Sequence, residues 1–450
     1  MISTHSRRLG QDLVLPTLLF AALGGMTWAV RGCSGYGGMD GCLFAGVTWG
    51  AAWWFISRQP GPRQSRRYTS GWIILAVAAG VAVSGNRGWM QWPSFFDGRL
   101  QTNTPKGQFA PLSPAYGYLW LFIAGVPWAG IGACLLAWCA SGRPLRARDW
   151  ALRLACAFAG AALGRWLFNH FPDLFLPLHQ RLAAEYANLQ AHPNLGRLIR
   201  DNGQALTHLG FYLGCLAYEA GRRDWKNVIL ILTVGLVNGA GWATLRNWSW
   251  ANHLWPTAHF NFWRCWESSA GISIGVAYGI AYFLVNQPLA ETEQTELGPW
   301  LGHPHPNAER IGAYLGLWLG LGISIKNGLK GWANIYVGNE SYWNAVLWRI
   351  IGPLLILGVI ALLLRVWRRP LPRGFAADAF PRAYRWIWLV LITQNVLAQL
   401  ITGPWTAWNE VAFSLYYLLL FLLSGVIVHH LHCLRALVPV RPAATAGAAG

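Results

Sequence analysis

Apolar runs of span length recur along the whole chain and constrain its fold more than any other feature. A helix needs about 20 mostly apolar residues to cross the ~30 Å hydrocarbon core of a bilayer. Such runs fall near 13–30, 41–56, 70–85, 117–140, 150–168, 205–221, 227–245, 267–286, 310–325, 343–366, 385–402 and 410–432. Only 12% of the 450 residues are charged, about half the roughly 25% of an ordinary soluble domain. The reading is an all-α polytopic membrane protein of about 12 transmembrane helices arranged as six hairpins. Arg7 and Arg8 precede the first run, yet no small-residue cleavage site follows it. That run is read as a span and not as a removed signal peptide.

The formal net charge is +18, which in a soluble protein would point to nucleic acid. The distribution argues otherwise. Starting from a cytoplasmic N-terminus, twenty-one Lys and Arg fall on the cytoplasmic side and thirteen on the outer side. Cationic inner loops are the usual cause of such a bias. The expectation is a multi-pass protein of the cell (inner) membrane with both termini cytoplasmic. Its partners are the bilayer and a small-molecule substrate, with no nucleic acid. The chain divides into a first half at 1–225, a second half at 226–434 and a disordered tail at 435–450.

No Walker A, dinucleotide-binding, G-x-S-x-G or H-E-x-x-H pattern occurs. The eight Cys form no C-x-x-C, so no cofactor and no metal centre are expected. Cys33 and Cys42 flank one short loop and are close enough in sequence to pair in an oxidising compartment. Small-residue motifs are dense: Gly46/Gly50, Gly160/Gly164, Gly210/Gly214, Gly235/Gly239, Gly271/Gly275/Gly279 and Gly312/Gly316/Gly320. G-x-x-x-G leaves a bare stripe on one helix face, so tight helix packing is its simplest meaning.

The spans also resemble one another. Odd-numbered ones other than the eleventh end on the outer side with Gly and then a cation, giving Arg31, Arg87, Arg165, Arg246 and Lys326. Even-numbered ones other than the fourth re-enter with an acid in or near the first turn, giving Asp40, Asp201, Glu267, Glu340 and Glu410. The first and seventh share Gly-x-x-Trp, which makes a 6+6 internal repeat a reading to test. A helix start favours an acid, and an Arg near a span end reaches to the headgroups. Taken together, the same residues would line a charged outer vestibule.

The loop 247–267 carries Trp248, Trp250, Trp255, Trp263 and Trp266 among Asn, His and Arg. It reads either as an interfacial aromatic belt or as a stacking platform. Its His253, His259 and Cys265 match no familiar ligand spacing. Loop 86–116 has the length to cover the vestibule, and 172–204 has the apolar spacing of a surface amphipathic helix. The candidate substrate-binding set is Arg31, Asp40, Arg87, Arg246, Trp250, Trp266, Glu267, Lys326, Glu340 and Glu410. The leading function is a transporter or permease for a polar, anionic or sugar-like small molecule. The alternatives are a membrane-embedded transferase acting on a lipid-linked or glycan substrate, and a receptor or assembly scaffold.

Overall fold

The computed structural model describes residues 9–33, 38–57, 66–85, 91–103, 107–140, 146–257, 260–290, 292–293, 306–368, 385–393, 396 and 408–436. Eleven main helices run through these residues. They are α1 (Leu15–Cys33), α2 (Gly38–Ser57), α3 (Ile73–Gly85), α4 (Ala115–Ala140), α5 (Ala147–His170) and α6 (Pro193–Gly221). There follow α7 (Trp225–Leu245), α8 (Phe262–Val285), α9 (Pro306–Tyr336), α10 (Glu340–Arg368) and α11 (Trp408–Ala436). Residues 385–393 are helical as well. The rest of the expected span at 385–402, and the tail beyond 436, lie almost wholly outside the described residues. Seven stretches are long and apolar enough to cross a membrane: Leu9–Ala29, Ala115–Ala140, Ala147–His170, Trp225–Trp248, Phe262–Val285, Glu340–Arg365 and Trp408–Leu434. The architecture is that of an all-α, multi-pass membrane protein.

Six helices close a ring. α1 packs on α2, α2 on α3, α3 on α4, α4 on α7, α7 on α8, and α8 returns to α1. The other helices attach outside it. α5 and α6 pair with each other, and α6 leans on α4. α9 lies against α2 and α3 and pairs with α10, and α11 lies on α1. α5 and α10 expose apolar side chains such as Leu152, Phe158, Leu163, Leu354, Ile356 and Leu357, as a lipid-facing helix does.

Glycines set the spacing at several of these contacts. A Cβ on Gly24 would collide with the Gly271 carbonyl, and one on Gly275 with the Phe20 carbonyl. Gly160 and Gly210 stand in the same relation across α5 and α6, and Gly46 approaches the Ala78 backbone across α2 and α3. Small residues are needed wherever two helix backbones come this close.

The ring interior is filled by aromatic side chains. Trp266 stacks on Trp242 (4.6 Å between ring centroids), and Trp242 meets Trp128 at 4.7 Å and Trp28 at 6.1 Å. Trp28 leads to Trp49 (6.0 Å), Trp49 to Tyr278 (6.0 Å), Tyr278 to Trp53 (6.3 Å) and Trp53 to Tyr282 (5.1 Å). Each such pair adds about 0.5–1.5 kcal/mol beyond the area it buries. Tyr282 donates to the Ile56 carbonyl (2.8 Å) and Tyr278 to that of Ala129 (3.3 Å), so their polar ends are satisfied inside the apolar interior.

The stretch 172–192 departs from the expected amphipathic helix. It forms only the short helices Pro172–Phe175 and Ala183–Ala187. Pro177 interrupts it, Pro172 and Pro193 stand at the starts of helices, and Leu178 takes a left-handed φ of 56°. Proline removes a backbone donor and clashes with a preceding turn. α6 therefore starts at Pro193, and Asp201 lies in its third turn and not its first.

Candidate functional site

The C-terminal ends of α1, α3, α7 and α9 gather with the N-terminal ends of α2, α4, α6, α8, α10 and α11 at one end of the bundle. Lys326, fully buried near the end of α9, meets the Asp40 carboxylate in the first turn of α2. Its ammonium also lies 4.6 Å from the Trp348 ring centre. One helical turn on, Lys330 pairs with Glu340 at 3.0 Å, and Glu340 is the first residue of α10. Glu410, in the first turn of α11, accepts from Arg264 at 2.8 Å. Asn409 beside it accepts from the Asn261 backbone (3.2 Å), and the Asn261 side chain caps α8 through the Arg264 N–H (3.0 Å). A side-chain oxygen at this cap position satisfies a donor the helix leaves open.

Arg246 follows α7 and is 7% exposed. Its guanidinium carbon lies 5.0 Å from the Trp266 ring centre, 5.5 Å from that of Trp263 and 6.0 Å from that of Phe96. Trp266 and Glu267 are both fully buried. Glu267 is the sixth residue of α8, a turn deeper than a first-turn acid would be. Ser268 beside it donates to the Gly25 carbonyl (3.0 Å) and lies 2.9 Å from the Tyr416 hydroxyl.

The five Trp of the 247–267 loop fall into two groups by exposure. Trp248, Trp250 and Trp255 are 41%, 51% and 60% exposed, as belt residues are. Trp263 and Trp266 turn inward and meet each other edge-on at 5.0 Å. The structure thus brings Arg246 and Trp266 together, pairs Asp40 with Lys326, and leaves Trp250 outside these contacts. Arg87 lies outside the described residues, as do the side chains of Arg31 and Cys33. His259 is also outside them.

Loop 86–116 lies across this end where it is described. Gln91–Phe96 is a short helix, and β1 (Arg99–Asn103) pairs antiparallel with β2 (Gln108–Pro111). Trp92 donates to Asn202 at 2.7 Å and stacks on Trp120, which ties the loop to α6 and α4. Nearby, Tyr118 donates to Asn247 at 2.6 Å.

Sequence reasoning missed two features. One is an acid–histidine contact in 172–192: His179 Nδ1 lies 2.6 Å from Asp173 Oδ1, and Gln180 donates to Oδ2 at 3.1 Å. The bond from Gln180, and then that from His179, holds the Asp173 carboxyl below its usual range. Asp173 and His179 are six positions apart, and it is the folding of this stretch that brings them into contact.

The other missed feature is the opposite end of the bundle, which is densely paired. Arg66 donates to Asp12 and to the Asn286 carbonyl, each at 2.6 Å. Arg67 holds Asp224 at 3.1 Å, and Arg153 holds Glu219 at 2.7 Å. Asn227 joins the two halves by donating to Glu219 (2.8 Å) and accepting from the Tyr68 hydroxyl (2.6 Å). All nine of these side chains are buried. Arg153 inside a span was the available signal, since a charge at that depth needs a partner. Among the described residues no group of three or more His, Cys, Asp or Glu is placed to hold a metal ion. Compared with protein-family models, curated proteins and solved structures, the chain matched none.

Proposed function

We propose that this protein is a membrane permease for a polar small molecule, anionic or sugar-like, which binds at the Arg246–Trp266–Glu267 end of the bundle. The observation that carries the reading is the contrast between the two ends. At the far end three buried Arg–carboxylate pairs are closed by mutual hydrogen bonds. At the near end the buried Arg246 sits against tryptophan rings, and the buried Glu267 follows Trp266 in the chain. Between them the interior is filled with rings. Together these support the reading of a carrier closed toward the Asp12–Arg66 end, in which moving cargo requires those three pairs to part.

Twelve spans, cytoplasmic termini and the inner membrane belong to the same proposal, with the near end facing outward. The 6+6 repeat belongs to it too. Its support is that Gly25-x-x-Trp28 and Gly239-x-x-Trp242 bring their two tryptophans to within 6.1 Å of each other in the core. Glu267 is assigned to coupling. Glu267→Gln keeps the shape and removes the charge, so in vesicles it is expected to stop uphill accumulation and to leave exchange intact. Wild-type accumulation in that variant would remove Glu267 from the mechanism.

A transferase acting on a lipid-linked or glycan substrate is the second reading. The Asp173–His179 contact favours it, because a carboxylate that orients an imidazole is a common element of general-base sites. His179→Ala is expected to leave transport unchanged and would abolish turnover in an enzyme.

A further inference from the structure

Four buried cations lie at the near end among the described residues, and three of them meet an acid. Lys326 has Asp40, Lys330 has Glu340, and Arg264 has Glu410. Arg246 has none. It is 7% exposed, its Nε is closed off without a hydrogen-bond partner, and it makes no ion pair among the described residues. The rings of Trp266, Trp263 and Phe96 attract its charge but accept none of its five N–H donors. A guanidinium held this deep without an acceptor is a group waiting for an anion.

We propose that Arg246 anchors the carboxylate of a small organic monoanion whose flat apolar body lies against the partly exposed ring of Trp263. Three observations select that class. The planar fork of a guanidinium matches a two-oxygen anion bidentately, which a point charge does not. Asp97 lies within electrostatic reach of Arg246 and, among the described residues, pairs with Arg99 at 3.4 Å. Its negative charge works against a dianion such as phosphate. The walls are aromatic, so they suit a weakly hydrated apolar body and give a strongly hydrated ion nothing in exchange for its water. This inference deepens the permease reading and rests on it for the role of the anion as cargo; the binding itself is measured separately.

The test uses the purified full-length chain in detergent, titrated with sodium benzoate, with sodium acetate and inorganic phosphate as comparators. Tryptophan fluorescence and thermal unfolding are read together. Benzoate is expected to saturate and to bind at least tenfold tighter than either comparator. Arg246→Gln should weaken benzoate at least tenfold, and Arg246→Lys, which keeps the charge and loses the fork, should fall between. Benzoate binding unchanged in Arg246→Gln, or phosphate binding as tightly as benzoate, overturns the proposal. Should Arg246→Gln fail to fold, Trp263→Leu decides: it is expected to weaken benzoate more than acetate, and equal weakening overturns the proposal. Benzoate binding without benzoate flux in vesicles keeps the site and defeats the cargo role. Protein-dependent flux of another solute with no benzoate binding defeats this inference and leaves the permease reading standing.

Discussion

Arg153 and Glu219 are 1% and 0% exposed and 2.7 Å apart. Removing one partner strands the other charge in an apolar interior, at a cost of about 3–5 kcal/mol. Arg153→Leu is therefore expected to lower unfolding stability by that amount, and Arg153→Leu with Glu219→Leu to recover most of it. A double variant no better than the single would mean that the bond from Asn227 to Glu219 matters more than the ion pair. Lys330→Ala should behave differently. The Glu340 side chain opposite is 45% exposed, and such a rim pair contributes under about 1 kcal/mol. Charge type was readable at these positions, but charge pairing was not. Asp40 meets Lys326 from 286 positions away and Glu410 meets Arg264 from 146, and no spacing rule spans that distance. The periodic rule of a cation at one span end and an acid at the next start named five acids. Two of them, Asp201 and Glu267, lie deeper than it implied, because Pro193 and the Asn261 cap begin their helices earlier.

Helix contacts were more legible, because their cause is local. A bare stripe on one face admits a neighbouring backbone whatever that neighbour is. Gly271→Val is expected to force α8 from α1 and to abolish folding, since its Cβ already has no room against Gly24. Gly425→Val on α11 serves as the control: nothing lies within 4 Å of its Cβ position, so unfolding should be unchanged. Equal damage from both would take the crossing of α1 and α8 out of the account. The 172–192 excursion was misread for an equally physical reason. Its apolar spacing suits a helix, but Pro177 breaks it and Pro193 restarts the helix as α6. Asp173 there has a lower pKa folded than unfolded, so its contribution is complete above the ordinary carboxylate value of ~3.9. It is lost as pH falls through the lower folded value. The protection of the amides across 172–192, taken relative to the intrinsic exchange rate at each pH, should stay level from about pH 7 to 5 and fall only below about pH 4; unprotected exchange already at pH 7 would contradict this. A fall near pH 6 would assign the stability of this stretch to another group.

At the scale of the whole molecule, the all-α membrane class could be read from apolar runs alone, with seven of the runs long and apolar enough to span, while the ring could not. Closing it requires α4 to skip α5 and α6 and pack on α7, and nothing in the local sequence of α4 says so. The aromatic file follows from that closure, because Trp28, Trp49, Trp128, Trp242 and Trp266 come from five different ring helices. The expected topology places residue 255 and residue 223 on opposite faces. Reporter fusions after each should give opposite compartment signals, and the same signal from both would break the span assignment. The most direct measurement is flux. The full chain in sealed vesicles, given labelled benzoate on one side, is expected to show saturable uptake above empty vesicles, with Arg246→Gln reduced at least tenfold. Uptake no greater than in empty vesicles, with benzoate binding intact in detergent, would contradict a permease that carries its cargo through the Arg246 site and leave a binding site in its place.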